Sequence, residues 1–247
     1  MIPCLLMSNG GLVKTVKFSN PKYVGDPVNA VRIFNDKEVD EMVFLDIDAT
    51  REKRGPNFQV LADIASEAFM PFGYGGGITT VDQVRQLYAL GIEKVILNSA
   101  AVTNPRLVEE AASIAGNSGV VVSIDVRRSW LGRRSVYING GRRDTRLDPV
   151  MHAREMERAG AGEILLTSID RDGTMEGYDL DLIEQISSNV GVPVVAAGGA
   201  GELRHFREAV DHGAAGLAAG SMFVFHGRHR AVLITYPEYQ ELERLFA

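Results

Sequence analysis

The feature that most restricts this chain is its internal repeat. Pro71–Val102 lies over Pro193–Val224 without a gap, an offset of 193 − 71 = 122. Pro71 falls on Pro193, Gly76-Gly77 on Gly198-Gly199, Gly91 on Gly213 and Ser99 on Ser221. The same offset carries Glu41 onto Glu163, Ile47 onto Ile169 and Asp48 onto Asp170. Helix breakers alone recur by chance. Strand, turn and polar positions recurring together mark two copies of one unit.

Apolar runs supply the content of those halves. Strands are expected at Ile2–Leu6, Met42–Ile47, Pro71–Tyr74, Lys94–Asn98, Val120–Asp125, Glu163–Ser168, Pro193–Ala197 and Ala215–Ala219. They are continuous rather than alternating, as parallel strands covered by helices should be. Between them the period is helical: Thr80 opens a helix that runs through Leu90, and Gly91 and Gly213 stand where helices stop. Eight strand–helix units in 247 residues predict an α/β fold, a (β/α)8 TIM barrel of two half-barrels, in one domain over residues 1–247. Periodicity alone leaves an open doubly wound sheet as the other choice. The Arg127–Arg146 segment, with seven arginines, is too long for a simple loop and is expected to break the two-fold pattern. Within it Ser135–Ile138 reads as a strand running into an Asn139-Gly140-Gly141 hairpin turn.

Composition narrows the function classes. Lys plus Arg is 26 and Asp plus Glu is 32, a net charge of 26 − 32 = −6, which argues against nucleic acid as the partner. Cys4 is the single cysteine, so no internal disulfide forms and a reducing cytoplasm is expected. No run reaches the ~18 apolar residues of a membrane span, and the start of the chain lacks a basic signal-like region. His226 and His229 have no third ligand at a sensible spacing, so neither a metal nor a cofactor is expected.

In such a barrel the chemistry sits at the C-terminal ends of the strands. Gly75-Gly76-Gly77, Asn98-Ser99, Gly198-Gly199 and Gly220-Ser221 all fall there. Backbone amides in such turns can hold phosphate without a basic side chain, and their pairing by the repeat predicts two phosphate sites facing each other. Taken singly, each turn asks no more than glycine's conformational freedom. Asp46, Asp48, Asp125, Asp170 and Asp172 stand at or beyond strand ends. Asp125 closes a fully apolar run, where a desolvated carboxylate can act as acid or base. Asp170 and Asp172 belong to a segment that also reads as a self-paired turn. Lys14 is either an anion contact at the mouth or a surface lysine.

Three stretches carry a specific resemblance. Gly73–Ile78, Asn98–Pro105 and Gly160–Thr174 resemble the cyclase subunit of imidazole glycerol phosphate synthase, the HisF family, along Ile2 to about Phe223. The resemblance implies a barrel with a two-phosphate substrate and two acid/base aspartates. It also implies ammonia received through the barrel from a HisH-like glutaminase docked on the opposite face. Asp125 matches one aspartate; the other should end the first strand as Cys-Leu-Asp, and here the chain reads Cys4-Leu5-Leu6. A leucine has no proton to move. Asp125 and Asp172 are the candidate catalytic carboxylates. Lys14, Gly76, Gly77, Asn98, Ser99, Thr167, Asp170, Gly198, Gly199, Gly220 and Ser221 are the candidate phosphate and substrate contacts. Glu41, Lys94 and Glu163, each at a strand start, match the family's charged ring around the ammonia entrance. The arginine that the family places before the first strand has no counterpart here.

Asn9–Phe18, Asn20–Pro27, Asp46–Arg51 and Gly220–Phe225 are similar to a HisF paralogue group associated with acetamidino modification of surface-polysaccharide sugars, such as those of O-antigen. There the resemblance implies a glutaminase and an ATP-dependent amidotransferase-like protein as partners, and a nucleotide-linked sugar as ligand. Three readings follow. The chain is an ammonia-delivering subunit for amidine formation, a lyase-type cyclase of histidine biosynthesis, or a non-catalytic conduit that activates the glutaminase.

Overall fold

Eight parallel strands close on themselves in the computed structural model, which describes residues 1–227 and 229–246. They are β1 (Ile2–Ser8), β2 (Met42–Asp46), β3 (Phe72–Gly75), β4 (Lys94–Leu97), β5 (Val120–Arg128), β6 (Glu163–Ser168), β7 (Val194–Ala197) and β8 (Gly216–Ala219). Each pairs with the next, and β8 returns to β1 through Ala218 and Ile2. That last pairing makes the sheet a closed (β/α)8 barrel and excludes the open sheet.

Both faces of every strand are covered, which is why the runs are apolar throughout. Side chains pointing outward, such as Phe44, Tyr74, Val95, Val122 and Leu166, pack under the helices. Those pointing inward, including Ile2, Val43, Ile96, Val121, Leu165, Val195 and Ala218, form a second core inside the barrel. The helix Val81–Ala89 starts at the Thr80 cap, whose oxygen accepts the Gln83 N–H at 3.3 Å. Gly91 and Gly213 end their helices at φ +88° and +94°, where a side chain would be strained. Among the described residues no helix is long and apolar enough to cross a membrane.

One expectation fails. The Arg127–Arg146 segment does not break the two-fold pattern, because the first half carries a hairpin in the same place. β1 runs on to Ser8 and pairs antiparallel with Gly11–Val16, which pairs in turn with Ser19–Gly25. β5 likewise runs on to Arg128 and pairs with Arg134–Ile138, followed by Arg143–Asp144. Asn9 and Gly10, at φ +49° and +79°, make the turn of the first hairpin. An Asn-Gly pair is the strongest short hairpin signal.

Register then fixes equivalence between the halves. Leu6 pairs with Leu45, and Asp125 with Thr167. Since 45 + 122 = 167, Leu6 and Asp125 hold the same position in the two halves.

Candidate functional site

The strands open into a cavity of about 640 Å³ at their C-terminal ends. Both glycine pairs line it, and all four residues take a positive φ: +125° and +70° at Gly76 and Gly77, +81° and +120° at Gly198 and Gly199. A Cβ at Gly76 would sit 2.5 Å from the Asp46 carbonyl oxygen, so only glycine lets these loops pack. Asn98 and Gly220 precede the short helices Ser99–Thr103 and Ser221–Val224 without a side-chain cap, which leaves the first amides there without a capping side chain, and Ser99 and Ser221 line the cavity.

Asp125 is buried at the end of this wall. Asn98 Nδ2 donates to its Oδ2 at 3.2 Å, and Ser123 Oγ to its Oδ1 at 3.4 Å. Burial pushes its pKa up to about 7; the Ser123 hydrogen bond works against that and the Asp172 charge adds to it. Such a carboxyl can give or take a proton near neutrality. Asp172 is also raised by burial, resisted by a 2.9 Å hydrogen bond from Thr15 Oγ1 and by the Lys14 charge. The Lys17 amide donates to the Asp172 carbonyl at 2.9 Å and the Phe18 amide to its carboxylate at 3.4 Å, so the first hairpin is folded over the mouth and pinned there.

Lys14 is no surface lysine. It is 5% exposed, and its Nζ donates to the Cys4 carbonyl at 2.5 Å. Burial lowers its pKa against the pull of Cys4 and Asp172. Thr167, Asn98, Ser99 and Ser221 line the same cavity. Asp170 does not: its Oδ2 accepts the Arg128 N–H at 2.8 Å and ties down the second hairpin. Its equivalent Asp48 does the same for the first, accepting from Ser8 Oγ at 2.6 Å. Asp46 is held by Arg54 Nη1 at 2.7 Å and Nη2 at 2.9 Å, a bidentate pair that shapes its loop. Asp46, Asp48 and Asp170 all shape loops here; Asp46 and Asp48 also line the cavity, and Asp170 does not.

At the other end of the barrel Lys94 Nζ lies 2.8 Å from Glu41 Oε1 and 2.9 Å from Glu163 Oε2. Burial pulls Lys94 down, and hydrogen bonds to the two carboxylates more than reverse it. Burial raises Glu163, partly offset by Lys94. The three expected ring residues thus meet as one half-buried cluster. Sequence reasoning did not single out Thr15 or Phe18 at the mouth; both sit on the first hairpin segment, for which the Asn9-Gly10 turn was the available signal, while Asn139, read as a hairpin turn, also reaches the mouth.

The family model of histidine biosynthesis proteins matches residues 1–230. A Pseudomonas aeruginosa protein provisionally named imidazole glycerol phosphate synthase subunit hisF2 is 50% identical over 98% of this chain and 97% of its own length. A Leptospira interrogans protein provisionally named as the HisF subunit is 46% identical over 100% and 98%. The imidazole glycerol phosphate synthase subunit HisF of Alkaliphilus metalliredigens is 45% identical over 92% and 90%. The chain belongs to the HisF family. This HisF-like barrel keeps the family's closed fold and departs at Leu6, where a carboxylate resembling Asp125 is expected and a half-buried apolar side chain stands instead.

Proposed function

We propose that the barrel is the ammonia-receiving subunit of a glutamine-dependent complex that forms an amidine on a nucleotide-linked sugar. A glutaminase docks on the face carrying Glu41, Lys94 and Glu163. Ammonia travels along the barrel axis to the mouth, where Asp125 and Asp172 manage protons and the two glycine turns, with Ser99 and Ser221, hold a phosphorylated ligand. The amidine step itself belongs to an ATP-dependent amidotransferase-like partner. Metals and organic cofactors play no part in this reading.

The single observation that carries it is Leu6 at the register position of Asp125. Cyclisation to an imidazole uses one carboxylate on each side of the substrate, and here one side has no acid or base. Delivery of ammonia needs no carboxylate at the position of Leu6. The histidine-pathway cyclase reading has its own support, since Asp125, Asp172 and both glycine turns are present and share one cavity. Co-purification with the cognate glutaminase and a glutamine-hydrolysis assay test the proposal. Co-elution with raised glutaminase activity is expected; a barrel that neither co-elutes nor stimulates hydrolysis refutes it.

A further inference from the structure

The Arg127–Arg146 hairpin segment carries seven arginines and one aspartate, a local charge of 7 − 1 = +6 on a chain whose net charge is −6. Among the described residues only Arg134 of the seven reaches a carboxylate, Asp179 at 2.7 Å and Asp181 at 4.0 Å. Two of the others, Arg127 and Arg142, line the mouth. Arg127 follows Asp125 by two residues on β5, so both face the same side of the strand. Its guanidinium lies over the Tyr137 ring at 4.9 Å. The stack fixes the plane of the fork and leaves its N–H donors free for a planar or tetrahedral oxyanion.

The hairpin tip places this fork beside one of the two glycine-turn sites. The Asn139 amide donates to Ser99 Oγ at 3.0 Å, while Asn139 Oδ1 is buried with no partner. The other half lacks the arrangement. Ser8 stands where Arg127 stands, and its hydroxyl is committed to Asp48. Among the described residues lining the cavity, the Gly220–Ser221 side has one ammonium, Lys14, already bonded to the Cys4 carbonyl. A barrel symmetric in its turns is therefore asymmetric in its cations.

We infer that the Ser99 side of the mouth is a diphosphate site, with one phosphoryl group on the Gly76–Gly77 and Ser99 turns and the next between Arg127 and Arg142. The inference deepens the proposed reading, on which the ligand is nucleotide-linked. Asn139 Oδ1 is an open acceptor for a hydroxyl of the attached sugar.

Calorimetric titration with inorganic phosphate, pyrophosphate, UDP and UDP-N-acetylglucosamine tests it on the unmodified chain, Arg127→Ala, Arg127→Lys and Arg142→Ala. Pyrophosphate is expected to bind at least ~10-fold tighter than phosphate. Arg127→Ala should lose ~10- to 100-fold in pyrophosphate affinity but under about 3-fold for phosphate, with Arg127→Lys between. Arg142→Ala touches no ring, so it serves if Arg127→Ala does not fold. Equal affinity for phosphate and pyrophosphate, or an equal loss of both on Arg127→Ala, overturns the diphosphate site. Arg127-dependent pyrophosphate binding with no gain from UDP keeps the site and removes the nucleotide. Tight UDP-sugar binding indifferent to Arg127 and Arg142 keeps the nucleotide and removes the site.

Discussion

Lys14 runs its ammonium through the space that a side chain at Gly220 would fill. A Cβ there would overlap Lys14 Nζ and stand 3.0 Å from the Cys4 carbonyl oxygen that Lys14 holds. Gly220→Ala should therefore leave the barrel folded but push Lys14 out of the mouth. The cost is about 1–3 kcal/mol, the range for losing a charge-assisted hydrogen bond in a buried place. Phosphate affinity at the Ser221 turn should fall with it. Thermal unfolding and phosphate titration check both, and unchanged affinity would show that Lys14 is not an anion contact.

Leu6 sets the second outcome. With one carboxylate of the pair gone, the chain should convert the histidine-pathway substrate and excess ammonium at least ~10²-fold more slowly than a two-aspartate cyclase. Leu6→Asp should recover part of the rate. A direct turnover assay decides; ordinary cyclase rates from the unmodified chain would return it to histidine biosynthesis.

Asp125 makes stability depend on pH. Its folded value of about 7 exceeds the ordinary 3.8, so the folded chain binds that proton more tightly than the unfolded chain. The burial penalty is absent below the unfolded value, grows as pH rises towards the folded one and is constant above it. Relative to Asp125→Asn, the unmodified chain should lose up to about 4 kcal/mol between pH 4 and pH 8. Urea unfolding of both forms across that range measures the difference. Parallel curves would mean that water reaches the carboxyl freely.

The Lys94 cluster gives the opposite sensitivity to mutation. Lys94→Met leaves Glu41 and Glu163 facing each other half-buried, which should cost about 1–3 kcal/mol near neutral pH. The loss should shrink as the carboxylates protonate, and Glu163→Gln in the same background should restore part of it. Melting curves at two pH values check this. A loss independent of pH would point to packing of the lysine stem instead.

The chain announced the barrel through its repeat, because apolar runs, helix stops and glycine turns all depend on neighbours close in sequence. Lys94 with Glu41 and Glu163 was legible for the same reason: strand starts in a closed barrel must converge. Asp170 was misread. Its sequence block marks the mouth, but which way a loop carboxylate turns is set by the Arg128 amide, which lies across a strand pairing. Lys14 stayed ambiguous until the first hairpin was seen, since burial of an ammonium depends on where that hairpin folds. The hairpin was readable from Asn9-Gly10, yet its docking on Asp172 joins residues 157 positions apart.

The barrel interior includes Ile2, Val43, Ile96, Val121, Leu165, Val195, Ala197 and Ala218, all apolar and nearly free of solvent, with Cys4 and Leu45 packed against them. An ion stripped of its hydration in such surroundings costs several kcal/mol or more, whereas a neutral molecule the size of water loses only its hydrogen bonds. On the proposed reading, ammonia would have to cross this core as the free base. Its fourth proton would then stay on the Lys94 side, and Asp125 would meet a nucleophile with its lone pair exposed rather than a cation.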